Sequence, residues 1–370
     1  MTVERDMAGT GLSFAVGIAV ATVIAAHGFH LCTYGASACL IIISAATCTL
    51  MHPIHNQLND KALRIITLAT ILCCGIFTSL SFSVLDTGQA SISGLLADSA
   101  SAFCEKLKTR IAGIPFSDKE SNAIATALLT GDRSLLNRDC INAFRTSGAS
   151  HILALSGLHL GIIYGFLKAL SSPCGKSAAA KGARSVIITS ACGFYTMATG
   201  ASASITRAFL FILLGEAAEL SGRSKSLKSI FWSALFIQLA ANPLSITDTG
   251  FQLSYSAIFG IAYIYPHLKR FWPEGIGLIY NGLRWIWNSV SVSLACQMTT
   301  GLLAWSYFGS FPVYFLLTNL IALPLAGIII PVCLAVVILD TSGICPDILV
   351  RITEWLIQAL TGSLETIATL

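Results

Sequence analysis

Apolar runs close to the length needed to cross a lipid bilayer recur along this chain, and nothing else in it constrains the fold as strongly. They fall at 11–30, 31–51, 62–84, 150–170, 185–200, 204–221, 229–242, 251–266, 285–306 and 313–339. A spanning helix needs roughly 20 mainly apolar residues, and several of these runs are short or interrupted. Composition agrees: 55% of the 370 residues are hydrophobic and 11% are charged, with a mean hydropathy of +0.76. A soluble domain carries about 25% charged residues, so charge is too scarce here to cover a water-facing surface. The expected class is an all-α, polytopic membrane protein with about ten transmembrane helices. Residues 346–370 are read either as a further span or as an interfacial helix. The first run is kept as a helix and not as a signal peptide, because its flank MTVERDMAG is weakly charged and a second run follows at once.

Lys and Arg gather in cytoplasmic loops. Lys61 and Arg64, then Lys168, Lys176, Lys181 and Arg184, then Arg223, Lys225 and Lys228, then Lys269, Arg270 and Arg284 mark every second connection. That pattern puts the N-terminus inside and residues 85–149 outside, where acidic and basic residues balance. GLLADSASAFCEKLKTRIAGI has the spacing of an amphipathic helix lying at the interface. The stretch after it reads as two short helices around a TGDRS turn, and a solvated helical linker is the alternative. The expected organisation is 1–84 as N-terminal spans, 85–149 as external interfacial helices, 150–345 as the main membrane domain and 346–370 as a C-terminal hydrophobic helix. Twelve cysteines include no CxxC pair and mostly lie in apolar runs. Cys104 and Cys140 share the 85–149 segment, where a disulfide is open to them on an oxidising side. No metal-ligand spacing is visible, and no cofactor is expected.

The polar residues inside the apolar runs carry the functional argument, because ionisable groups in lipid are costly and default to functional sites. In SGASHILALSGLHLGIIYG, Ser156 and His159 stand three apart, and Gly157, Gly161 and Gly165 form a stripe suited to close helix packing. His159 faces a wet cavity or bonds a neighbouring helix; His151 is a boundary residue. Arg207 follows a run of small residues, and either contacts an anion or snorkels to the headgroups. Gln252 belongs either to a capping box with Thr249 or to a polar stripe with Ser256. Gln297 and Asn319 are lining groups or interhelical glue, and Pro312, Pro324 and Pro331 are expected to interrupt the last long run.

Four passages, AIATALLTGDRSLLNRDCINAFRTSGASHILALSGLHLG, SITRAF, ANPLSITDTGFQLSYSAIFG and ACQMTTGLLAWSYFGSFPVYFLLTNLIALPLAG, resemble successive blocks of the ComEC/Rec2 competence family. The resemblance covers about 118–330, with a looser match for the first runs. It implies an inner-membrane channel that passes single-stranded DNA into the cytoplasm during natural transformation. It also implies functional weight for Gly131, Asp132, Arg133, His151, Ser156, Gly157, His159, Arg207, Asn242, Pro243, Gln252, Gln297, Asn319 and Pro324. Relatives usually add an external OB-fold domain and often a metallo-β-lactamase-like nuclease domain. This chain runs from Ser81 almost directly to the amphipathic helix and carries no HxHxDH motif. No nuclease activity of its own is therefore expected, and a DNA receptor, a nuclease and a cytoplasmic translocase are the expected partners beside membrane lipid and a second copy of the chain.

A strand with one charge per phosphate needs a wet, polar path through lipid. Ser156, His159, Arg207, Gln252, Gln297 and Asn319 are the expected lining. The aromatics lie mostly near run ends, as an interfacial belt does. Rival readings are a degenerate paralogue without transport, a small-solute transporter, and an intramembrane serine hydrolase built on Ser156 and His159.

Overall fold

A computed structural model of the chain describes residues 2–26, 65, 67–76, 79, 94–172, 177–222, 225–272, 277–309 and 314–369. The expected run at 31–51, with Cys32, Cys39, Cys48, Lys61, Arg64, Lys176, Arg223 and Pro312, lies outside the described residues. All regular elements among the described residues are helical, as the sequence predicts. In chain order they are α1 (Thr2–Ala26), α2 (Thr67–Ile76), α3 (Gly94–Gly113), α4 (Lys119–Thr130), α5 (Arg138–Thr146), α6 (Ser150–Leu153) and α7 (Gly157–Leu170). Then come α8 (Ala178–Ala198), α9 (Ala203–Leu220), α10 (Leu227–Ala241), α11 (Thr249–Phe259), α12 (Tyr265–Leu268), α13 (Leu278–Phe308), α14 (Phe315–Thr341) and α15 (Asp347–Ala368). They form two compact units, Met1–Ser91 with Arg223–Tyr255, and Ile92–Gly222 with Ser256–Leu370. These units interleave along the chain, whereas the sequence reading divides it into consecutive segments.

In the first unit α1 packs on α10 and crosses α2 at close range. A Cβ at Gly17 would collide with the carbonyl oxygen of Leu72, and one at Gly75 with that of Phe14. Two glycines therefore let two backbones touch, which is how apolar helices gain dispersion contact where water gives no drive. Phe14 and Ile18 are buried beside the crossing, and the Phe14 ring lies 4.5 Å from that of Phe236.

The second unit is built on α14. Its buried residues Ala322, Ala326, Ile329, Ile330, Cys333 and Val336 meet α4, α5, α7 and α15 in one cluster. On α15 the buried positions Val350, Thr353, Ile357, Leu360, Leu364 and Ile367 recur at three- and four-residue steps, the stripe of a helix with one apolar face. That stripe lies on α14, and Glu354 is drawn in with it, accepting from the Asp118 N–H at 3.0 Å and the Ser117 hydroxyl at 3.1 Å. Within the segment expected at the interface, α4 is buried along most of its length. Each core Leu or Ile contributes about 1.5–3 kcal/mol by leaving water. Cys104 and Cys140 are free thiols and sit in separate clusters, so the disulfide open to them in sequence is not made. Burial next to Glu120 pushes the Cys140 thiol up to about 12.

Among the described residues α14 is the one helix long and apolar enough to cross a membrane. Met7–Val23, Thr67–Ile76, Gly157–Leu170 and Leu227–Ala241 are shorter apolar helices. Contrary to expectation, α14 runs unbroken through Pro324 and Pro331. The discontinuities lie elsewhere: between α6 and α7, where Ala154 and Ser156 are extended, and at Gly260–Ile264, where α11 passes into one π-type turn. Gly260 presses on α13 so closely that a Cβ would strike the Ala295 carbonyl oxygen. A π turn leaves room for that approach and is a common local adjustment in helices.

Candidate functional site

The expected span at 150–170 is two helices with a built break between them. α6 ends at Leu153, whose carbonyl accepts from Arg133 Nε at 3.0 Å. α7 then starts from Ser156, whose Oγ accepts from the Leu158 N–H at 3.3 Å. His159 Nδ1 lies 3.4 Å from the Ser156 backbone nitrogen and accepts its proton, which completes a reciprocal capping box. The two side chains therefore meet, at 3.2 Å between Oγ and Nδ1, as the cap of a helix end and not as a stripe along one face. His159 is fully buried, and its Nε2 has no hydrogen-bond partner among the described residues.

The break is held from the other side by the GDRS turn. Gly131 ends α4 with φ of 76°, a left-handed value that favours glycine, and a Cβ there would run into the Leu155 side chain. Asp132 folds over its own turn, accepting from the Ser134 N–H at 2.9 Å, and pairs with Lys108 of α3 at 2.8 Å. These partners hold the Asp132 carboxyl well below the usual carboxylate range, Lys108 contributing most. The Tyr195 hydroxyl of α8 donates to the Leu129 carbonyl at 2.7 Å, and Thr318 of α14 donates to the Ser147 carbonyl at 2.6 Å. Next to Thr318, the Oδ1 of Asn319 is buried with no hydrogen-bond partner among the described residues.

α7 and α9 run side by side in the same direction. At their starts Gly157 faces Ala208, with a Cβ on Gly157 only 3.2 Å from that of Ala208. At their ends Lys168 pairs with Glu216 at 3.3 Å and with Glu219 at 3.0 Å, and the Tyr164 hydroxyl donates to Glu216. The N-terminus of α7, equivalent to roughly half a positive charge, thus lies against the second turn of α9, where Arg207 is 2% exposed. The arrangement brings the positive end of α7 next to the turn of α9 that carries Arg207. Such a place suits an anion.

The family model described as Competence protein matches residues 128–370 of the chain. The chain belongs to the competence protein family, of the ComEC/Rec2 type. It is 32% identical over 143 residues to ComE operon protein 3 of Bacillus subtilis (strain 168), a match covering 38% of this chain and 18% of that protein. It is 25% identical over 204 residues to Competence protein ComA of Neisseria gonorrhoeae, covering 54% of this chain and 28% of that protein. The matched segments span under a third of the length of either relative. No solved structure matches the chain.

Residues singled out by the family resemblance fall into separate places in this competence protein. Gly131, Asp132, Arg133, Ser156, Gly157 and His159 gather around the break, and Arg207 adjoins Ala208, which Gly157 meets. His151 carries an exposed ring whose Nδ1 lies 3.2 Å from the Gly148 carbonyl. Asn242 and Pro243 start a single 3₁₀ turn, with the Asn242 carbonyl side chain accepting from the Leu244 N–H at 3.1 Å. The cap of α11 is Asp248, which accepts from the N–H groups of Gly250 and Phe251, and not Thr249 as expected. Gln252 donates to the Ile246 carbonyl at 2.9 Å within the first unit. Gln297 lines a shallow depression along α13 with Met298, Leu302 and Trp305, apart from the other expected lining residues. Cβ atoms at Gly161 and Gly165 would meet nothing within 4 Å among the described residues. Of the expected stripe Gly157 alone packs closely, on Ala208, and the tightest backbone approaches are at Gly17, Gly75 and Gly260.

The cluster of Tyr164, Lys168 and Glu216 escaped the sequence reading. Its signal was available: Tyr164 and Lys168 are four apart, and Glu216 sits in an apolar helix where an unpaired carboxylate would be costly. Among the described residues no group of three or more His, Cys, Asp or Glu side chains is placed to hold a metal.

Proposed function

We propose that this chain is the membrane part of a DNA-uptake apparatus and conducts single-stranded DNA across the inner membrane into the cytoplasm. In this reading it is a multi-pass channel subunit of about ten spans with its N-terminus inside, and it performs no covalent chemistry. The observation that carries the proposal is the break at 154–156, from which α7 starts against Ala208 of α9, the residue next to the buried Arg207. Discontinuous helices whose N-terminal ends face an anion are the usual way a membrane protein holds negative charge away from water. A phosphate backbone is such an anion, and weak, repeated contacts suit conduction better than a strongly basic pore does. Membership of the competence protein family supports DNA as the cargo. The proposed partners are a DNA receptor, a nuclease acting on the complementary strand, a cytoplasmic translocase and a second copy of the chain.

Labelled DNA reaching the cytoplasm of a competent host that lacks its own channel tests the reading. The parent chain should restore uptake, and Arg207→Ala and His159→Ala should each lower it about ten-fold or more at equal membrane levels. Uptake unchanged in both variants would remove the break from the path. One observation favours a hydrolase instead: Ser156 Oγ and His159 Nδ1 are 3.2 Å apart. Against it, Nδ1 already serves the Ser156 N–H, and among the described residues no carboxylate bonds the ring. A serine-directed phosphonate probe should leave the chain unlabelled; labelling lost in Ser156→Ala would replace the channel with an enzyme.

A further inference from the structure

The second unit contains an apolar groove of about 630 Å³ between α3, α7, α8 and α14. Ile163 and Leu167 of α7 and Val337 and Ile338 of α14 form its walls. Phe103 and Phe194, with rings 5.2 Å apart, flank it and remain 46% and 40% exposed. Lys106 and Arg110 of α3 line it as well. They are four residues apart and so share a helix face. No carboxylate lines the groove, and Glu105, the acidic neighbour on α3, is engaged with Lys108 at 2.8 Å.

The hydrogen-bonding groups along the walls are already used. Tyr195 donates to Leu129, Thr341 to the Val337 carbonyl at 2.6 Å, and Ser342 to the Ile338 carbonyl at 3.0 Å. A peptide laid in the groove would lose water from its backbone and find no replacement partners, at a cost for every amide. An acyl chain carries no such groups. The volume falls in the range of small-molecule sites, roughly 300–1,000 Å³, and two cations attend an otherwise apolar slot.

We propose that this groove binds an anionic phospholipid, one acyl chain lying against Ile163, Leu167, Val337 and Ile338 and the headgroup phosphate held by Lys106 and Arg110. The inference rests on the membrane placement proposed above, and it assigns a role to α3 that the family match, beginning at residue 128, does not reach. Each cation beside an anionic headgroup is worth about five-fold in affinity, so the pair should give a preference of ten-fold or more over a zwitterionic lipid.

The test uses the full chain, extracted in mild detergent and stripped of lipid, titrated with phosphatidylglycerol or phosphatidylcholine and read by native mass spectrometry. Phosphatidylglycerol should be retained at least about ten-fold more tightly. The exposed double variant Lys106→Gln/Arg110→Gln should abolish the preference while keeping the helical circular dichroism of the parent. Ala191→Trp, which fills the groove from α8, should lose both lipids. Equal retention of the two lipids, unaffected by the variants, would overturn the site and leave the membrane placement standing. A chain that alkaline carbonate washes off membranes would overturn the placement and the site together.

Discussion

Two stretches of the second unit invert the usual expectation about where helices break. α14 contains Pro324 and Pro331 and is continuous from Phe315 to Thr341. Residues 150–170 contain no proline and are broken at Ala154–Ser156. Each proline in α14 removes one donor and leaves one carbonyl without its usual partner, a loss that packing against α4, α7 and α15 offsets. The break before α7 removes more backbone bonds, yet three of the groups it frees have side-chain partners. Leu153 O has Arg133, the Ser156 N–H has His159, and the Leu158 N–H has Ser156. Breaks occur where side chains from elsewhere can take over the freed backbone groups. Proline alone does not decide it.

The largest expected effect lies at the turn that supplies Arg133. Gly131→Val places a β-branched residue at φ of 76° and drives its Cβ into Leu155. Strain and overpacking together should destabilise the second unit by about 2–5 kcal/mol. Thermal unfolding in detergent would show this as a lower midpoint. A midpoint unchanged from the parent would mean that the turn does not hold the break.

A paired comparison sharpens the contrast. Arg133→Met leaves the Leu153 carbonyl unmatched and should cost about 1–3 kcal/mol. Pro324→Ala restores a donor inside a helix that is already continuous, and should change stability by less than about 1 kcal/mol. Urea titrations of the two variants, followed by tryptophan fluorescence, would order them. If Pro324→Ala proves the more disruptive, the proline is shaping α14 and the break is the lesser device.

Some of this was legible in the sequence, and the line between legible and illegible is physical. The helical class follows from runs of apolar residues, and the α15 stripe from positions 350 to 367. The polar residues worth watching were visible too, since Ser156, His159 and Arg207 stand out against aliphatic neighbours. Their geometry was not. A capping box and a shared helix face have the same spacing of three, and only the extended backbone at Ser156 separates them. The Gly157, Gly161 and Gly165 stripe predicts contact equally for all three residues, whereas Ala208 meets the first alone. Lys108 and Asp132 lie 24 positions apart with no pattern linking them, so their pairing depends on how α3 lies against α4.

That last pair gives the smallest effect and tests the brace independently of DNA. Asp132 is held below its ordinary range chiefly by Lys108 and then by the Ser134 N–H, and Lys108 is held above its own by Asp132 and Glu105. A carboxyl whose folded pKa is depressed adds stability that is complete above its unfolded value near 3.9 and is lost progressively as pH falls from there through the folded value. A raised lysine adds stability that is complete below about 10.4 and is lost above it. Between pH 5 and 9, then, the pair should contribute a constant amount. Both side chains are about a quarter exposed, so the contribution is about 0.5–1 kcal/mol and is reduced by salt. Asp132→Asn should lower the unfolding midpoint by the same few degrees at pH 6 and pH 8, and the gap to the parent should begin to narrow only below about pH 4. A gap undiminished at about pH 2 would trace the role of Asp132 to its turn bond with Ser134, which the amide oxygen of asparagine also makes less strongly. The brace between α3 and the break would then be geometric and not ionic.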